Sequence, residues 1–159
     1  MKEKTCCFTG HRKIPADQYQ TIAQETEKVI ENLIKEGYLY FCAGGALGYD
    51  TIAEMAVLKL RKKYTHIKLI LILPCLTQAD KWKDEDKEIY EAIKAQADKV
   101  LYTSQSYTKY CMLKRNRQLV DGSSVCISYL TEKKGGTFYT VGYAERNDLK
   151  ILNIADKMI

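Results

Sequence analysis

Apolar runs of strand length alternate with segments of helical period along this whole chain, and that alternation leaves few folds open. The runs are Thr5-Cys6-Cys7-Phe8-Thr9, Tyr38 to Cys42, Ile67 to Leu73, Lys99 to Tyr102, Ser124 to Tyr129 and Lys150 to Ile154. From Ala16 to Glu36, the residues Tyr19, Ile22, Ala23, Thr26, Val29, Ile30, Leu33 and Ile34 recur at helical spacing, with Gly37 placed to cap the helix end. Further helices are expected from about Asp50 to Tyr64, about Asp84 to Ala97, Tyr110 to Gly122, and up to about Asn147. The near-continuous run Ile67 to Leu73 suits a strand covered on both faces. Strand, helix, strand in repeated succession implies right-handed crossovers and an α/β doubly wound, mainly parallel sheet with helices on both faces.

A chain of 159 residues, 46% hydrophobic and 28% charged, suits one domain over residues 1–159 with a substantial core. No apolar run approaches the ~20 residues that span a bilayer, so a cytoplasmic protein without a membrane partner is expected. The cysteines Cys6, Cys7, Cys42, Cys75, Cys111 and Cys126 form no C-x-x-C and no metal spacing with histidine. They are expected as reduced thiols packed as small hydrophobes, with no metal site. The net charge of +5 permits nucleic-acid binding without indicating it, because much of the excess lies between Lys59 and Lys63, where cations complement a helix end.

The stretch Phe41 to Asp50 reads as strand, glycine turn, helix, a local design that brings backbone amides to an anion. It is no P-loop, because Tyr49 and Asp50 follow Gly48 where lysine and serine or threonine belong. It matches the dinucleotide fingerprint only at Gly45 and Gly48, since Ala43 takes the first glycine position. A ligand-free tight turn, with Thr51 and Glu54 as a capping box or Asp50 as the cap, explains the same letters.

Doubly wound sheets bind ligands beyond the carboxyl ends of their strands. Four segments follow strands and should open on one edge: Thr9 to Arg12, Gly44 to Asp50, Pro74 to Trp82, and Leu130 to Thr137. Together they supply two glycine turns, the hydroxyls of Thr9 and Thr137, and the guanidinium of Arg12, with Arg115 as a further candidate for gripping phosphate. Asp50 is suited to accept from a ribose hydroxyl. A nucleotide fits that inventory.

The order of these motifs resembles the YpsA-like branch of the SLOG superfamily, Rossmann-like proteins grouped with the DNA-processing protein DprA and the LOG phosphoribohydrolases. Thr9-Gly10-His11-Arg12, Gly44 to Asp50, Leu73-Pro74-Cys75 with Gln78 and Trp82, Arg115-Asn116 with Val120-Asp121, and Gly135-Gly136-Thr137 carry the resemblance over nearly the whole chain. It implies a pocket for a nucleotide or ADP-ribose-like ligand built from Thr9, Gly10, His11, Arg12, Gly44, Gly45, Ala46, Gly48, Asp50, Arg115, Asn116, Gly135, Gly136 and Thr137. LOG enzymes carry a P-G-G-x-G-T-x-x-E motif whose glutamate assists catalysis. Aligned on Gly136-Thr137, that glutamate falls on Thr140, a poor substitute for a carboxylate. Binding, in a sensor or signalling module, is therefore expected over hydrolysis. Asp50 and Glu145 are the candidate carboxylates if a bond is cleaved, and a DprA-like single-strand DNA binder or a homo-oligomer stays open. His11 reads equally as a ligand contact or a solvated turn residue, Asn116 as a contact or a loop support, and Trp82 mainly as a lid on the core edge. Tyr107 and Tyr110 would allow base stacking on a nucleic-acid strand, a role disfavoured because tyrosines are frequent throughout this chain, and Cys75 reads as a thiol open to exposure.

Overall fold

Strand pairing follows the apolar runs. The computed structural model describes residues 1–158. In it β1 (Thr5–Gly10), β2 (Tyr40–Ala43), β3 (Lys68–Leu73), β4 (Lys99–Tyr102), β5 (Val125–Tyr129) and β6 (Lys150–Asn153) form one sheet in the order β4-β3-β2-β1-β5-β6. Every pairing is parallel. The connections run through α1 (Tyr19–Lys35), α2 (Tyr49–Arg61), α3 (Asp84–Gln96), α4 (Cys111–Asp121) and α5 (Gly135–Arg146). This is the doubly wound α/β sheet expected from the alternation, parallel throughout.

Alternation along the strands sorts side chains onto two faces. Cys6, Phe8, Phe41, Ala43, Val125 and Ile127 join Ile22, Ile30 and Leu33 of α1 and Ile52, Ala53 and Val57 of α2 in the larger core, with Tyr90 and Ile93 of α3. Each fully buried aliphatic side chain contributes about 1.5–3 kcal/mol. On the opposite face, Cys7, Cys42 and Cys126 pack under Leu119 and Val120 of α4 and Ala144 of α5. Cys42, Cys7 and Cys126 stand in register on adjacent strands. All six cysteines are free and buried, Cys75 among them, contrary to the exposure left open for it.

Boundaries moved where a turn takes residues from an element. The first helical segment opens as a 3-10 turn, Ala16–Gln18, before α1. At its far end Gly37, with φ +100°, makes the anticipated cap: Gly37 N donates to Ile34 O and Tyr38 N to Leu33 O, both at 3.0 Å. Tyr38 and Leu39 are used in this cap and its exit, so β2 begins only at Tyr40. α2 stops at Arg61, short of Tyr64. Among the described residues no helix is long and apolar enough to cross a membrane.

The order of strands creates the place for a site. From β1 the chain steps outward through β2 and β3 to β4, and α4 then returns it so that β5 pairs with the other side of β1. The chain leaving β1 and the chain leaving β5 therefore go on to helices on opposite faces of the sheet, and a crevice opens at the carboxyl ends of these strands.

Candidate functional site

A cavity of about 320 Å³ occupies that crevice. Its walls come from β1 and the loop after it (Phe8 to Arg12), from the β2–α2 turn (Ala46, Asp50), from α4 (Met112, Arg115, Asn116), and from the start of α5 (Lys134 to Thr137). Eleven of the fourteen site residues anticipated from sequence line it: Thr9, Gly10, His11, Arg12, Ala46, Asp50, Arg115, Asn116, Gly135, Gly136 and Thr137. Gly44, Gly45 and Gly48 do not.

The two glycine turns differ in what faces them. A Cβ on Gly48, whose φ is +79°, would strike the Arg12 backbone, and one on Gly10 would strike the Tyr49 ring. These glycines let the β1 loop lie directly on the start of α2, where Tyr49 N donates to His11 O at 3.1 Å. A Cβ on Gly44 would meet the Arg115 guanidinium, and one on Gly45 would meet Leu73. The amides of this turn are already taken: Gly45 N donates to Glu54 Oε2 and Ala46 N to Asp50 Oδ2, each at 3.1 Å. Neither anticipated cap forms, because both carboxylates fold back onto the turn and Thr51 Oγ1 bonds Ala46 O. The first glycine turn is thus a packing device with carboxylates where an anion was expected.

Around Gly135 and Gly136 the space is open, with nothing within 4 Å of a Cβ at either position. Lys134 precedes α5 without a side-chain cap, so the amides of the first turn have no intrahelical acceptor and present the positive end of the helix. Arg12 and Lys134 are exposed at the same cavity. Arg115 is only 4% exposed. Its Nη1 donates to Gly44 O and its Nε to Asn116 Oδ1 at 2.7 Å, so Asn116 supports the arginine as well as lining the wall.

Asp50 and Glu54 are buried behind this guanidinium. Burial pushes the Asp50 carboxyl up, against the pull of Arg115 and the Ala46 amide. Glu54 is raised well above its ordinary value by burial and then by the charge of Asp50. One buried cation thus faces two buried acids, which keeps the turn short of full compensation.

Further bonds hold the β5–α5 loop in place. His11 Nε2 accepts from Thr131 N at 2.9 Å, and Asn153 of β6 grips Leu130 twice, accepting from its N–H at 3.1 Å and donating to its carbonyl at 3.0 Å. His11 is therefore a strap between two strand-end loops as well as a wall residue. The loop from Pro74 to Trp82 contributes nothing to the cavity wall. Trp82 packs edge-on against Tyr90 at 5.1 Å between centroids, as a lid on the core edge. Sequence reading missed Lys134, although it adjoins Gly135; Met112, one helical turn before Arg115; and Glu54, whose spacing suggested a cap.

The model of the "YspA SLOG family", named YpsA, matches residues 6–156. This chain belongs to that family. Among its YpsA-family relatives, a UPF0398 protein of Bacillus pumilus is 32% identical over 134 residues, covering 82% of this chain and 71% of the relative. The UPF0398 protein YpsA of Bacillus subtilis is 32% identical over 127 residues, covering 76% and 71%. Beyond the YpsA family, the fold is similar to DNA processing protein A from Helicobacter pylori, with a TM-score of 0.68 at 19% identity, covering 99% of this chain and 72% of that one. In this YpsA-family chain Thr140, aligned with the LOG glutamate, is buried and donates to Gly136 O at 2.9 Å. Glu145 is exposed on the last turn of α5, roughly 15 Å along the helix from Gly135.

Proposed function

We propose that the cavity binds a nucleotide-derived small molecule, such as a nucleotide or ADP-ribose, with its phosphate at the uncapped start of α5. One observation carries the reading: open Gly135 and Gly136, the first-turn amides, Arg12 and Lys134 converge on a crevice at the switch in strand order. Helix amides and a guanidinium are the donors that phosphate oxygens take best. The cavity volume lies near the lower end of the range for small-molecule sites, which suits a mononucleotide or one half of a larger ligand. The protein would act in the cytoplasm as a binding or signalling module.

Calorimetry with AMP, ADP-ribose and NAD tests this. Saturable binding is expected, and Gly136→Glu should abolish it. Gly136 faces open space, and a carboxylate in the first turn suits the helix while repelling phosphate. Failure of the whole panel to bind would overturn the reading. Gly45→Glu is unsuited as a probe, because Leu73 stands where its side chain would go.

Asp50 gives a second reading some footing, since it is a carboxylate in the cavity wall. Chromatography of AMP or ADP-ribose after long incubation separates binding from cleavage. Intact ligand is expected; release of base or ribose phosphate, lost in Asp50→Asn, would make the protein a hydrolase. The Helicobacter pylori neighbour binds single-stranded DNA. A gel shift in low salt tests that reading here, and no complex is expected.

A further inference from the structure

We infer that Asp50 makes the cavity selective for a ligand that presents a ribose hydroxyl, so that ribonucleotides bind in preference to their deoxy counterparts. The inference rests on the nucleotide reading above and names the feature of the ligand that the site selects.

Asp50 is the second residue of α2 and only 6% exposed, yet it lines the cavity. Its Oδ2 is held by Ala46 N. The Gly44 amide lies beside the same carboxylate and adds a weaker pull. No other donor reaches Oδ1 among the described residues, and Oδ1 is not one of the sealed side-chain atoms without a partner, which are Gln78 Oε1 and Ser128 Oγ. The carboxylate is therefore held to the turn through Oδ2, and Oδ1 keeps acceptor capacity for whatever enters the cavity. Arg115 does not take it up. Its guanidinium bonds Gly44 O, Asn116 Oδ1 and Met112 Sδ, and among the described residues it forms no ion pair with Asp50.

The rest of the wall sharpens the demand. Asp50 is the only acidic residue in it, against Arg12, Arg115 and Lys134 and the free amides of α5. A phosphate is drawn to the cationic end and repelled from Asp50, so the group that meets Oδ1 must be a donor. In a nucleotide whose phosphate is anchored in the same cavity, the donors nearest that phosphate are the sugar hydroxyls. A deoxy analogue would leave an oxygen of the buried Asp50 carboxylate short of that donor. Sites built around a ligand hydroxyl reject the analogue lacking it for this reason. The same logic disfavours DNA, whose sugars lack the 2′-hydroxyl.

Titration calorimetry with AMP, 2′-deoxy-AMP, 3′-deoxy-AMP and ADP-ribose decides the matter. On the wild-type protein, at least one deoxy analogue should bind about tenfold or more weakly than AMP. In Asp50→Asn the gap should close, because the amide oxygen can still accept from Ala46 N while an N–H group replaces the free acceptor. Equal affinity of all three mononucleotides for the wild-type protein would overturn the inference and leave the nucleotide reading intact. Absence of binding by all four ligands would overturn both. The wild-type comparison stands even if the variant fails to fold.

Discussion

Four glycines beside the site face protein atoms and two face empty space, and their substitutions should separate accordingly. At Gly48, alanine would combine a positive φ with a clash against the Arg12 backbone. A loss of about 2 kcal/mol or more is expected in urea unfolding. At Gly136 alanine meets nothing, and stability should stay within about 1 kcal/mol of wild type. Glu54 offers a second test at this scale. Its carboxyl is raised in the folded protein, chiefly by burial, so the folded state holds a proton that the unfolded chain releases near the ordinary value of 4.5. The contribution of Glu54 to stability is then greatest below 4.5 and is lost as pH rises through the folded value. Glu54→Gln should consequently be more stable than wild type at neutral pH and gain little at pH 4, as read from melting temperatures. From the chain alone, Gly44 to Gly48 and Gly135-Gly136 read alike. What separates them is the atom in front of each glycine, which lies 71 residues away for Gly44 and Arg115. No local pattern encodes that.

Elements were easier to read than their termini. Helical period and apolar runs located all six strands and five helices, because both report burial and every strand here has at least one covered face. The termini were set by partners instead. Tyr38 serves the α1 cap, and the side chains of Asp50 and Glu54, both within α2, bond the turn before the helix instead of capping it. At this scale α5 matters most, since its free amides form one end of the cavity. Its approach loop is tied down by His11, and His11→Ala should raise amide exchange at Thr131 at least severalfold while leaving β1 and β5 protected. Equal exchange in both proteins would show that the strap is dispensable.

For the molecule as a whole, every thiol is buried, Cys6, Cys7, Cys42 and Cys126 within the two-sided core and Cys75 and Cys111 outside it. Burial raises the Cys42 thiol to about 12 and the Cys6 thiol well above its usual range, while at Cys126 a hydrogen bond from its own S–H to Cys7, and then burial, do the same. None of the six should react with iodoacetamide in the native state, and all six should react in denaturant, as counted by mass spectrometry. Fast reaction at Cys6, Cys7, Cys42 or Cys126 in the native protein would mean that a sheet face opens readily. The grip of Asn153 on Leu130 joins the sixth strand to the loop that leads into the cavity, although no residue of that strand touches the cavity. This edge strand thus acts as an anchor post for the entrance. An alteration at the sheet's rim, Asn153→Leu included, should slacken that doorway while the floor beneath it stays in place.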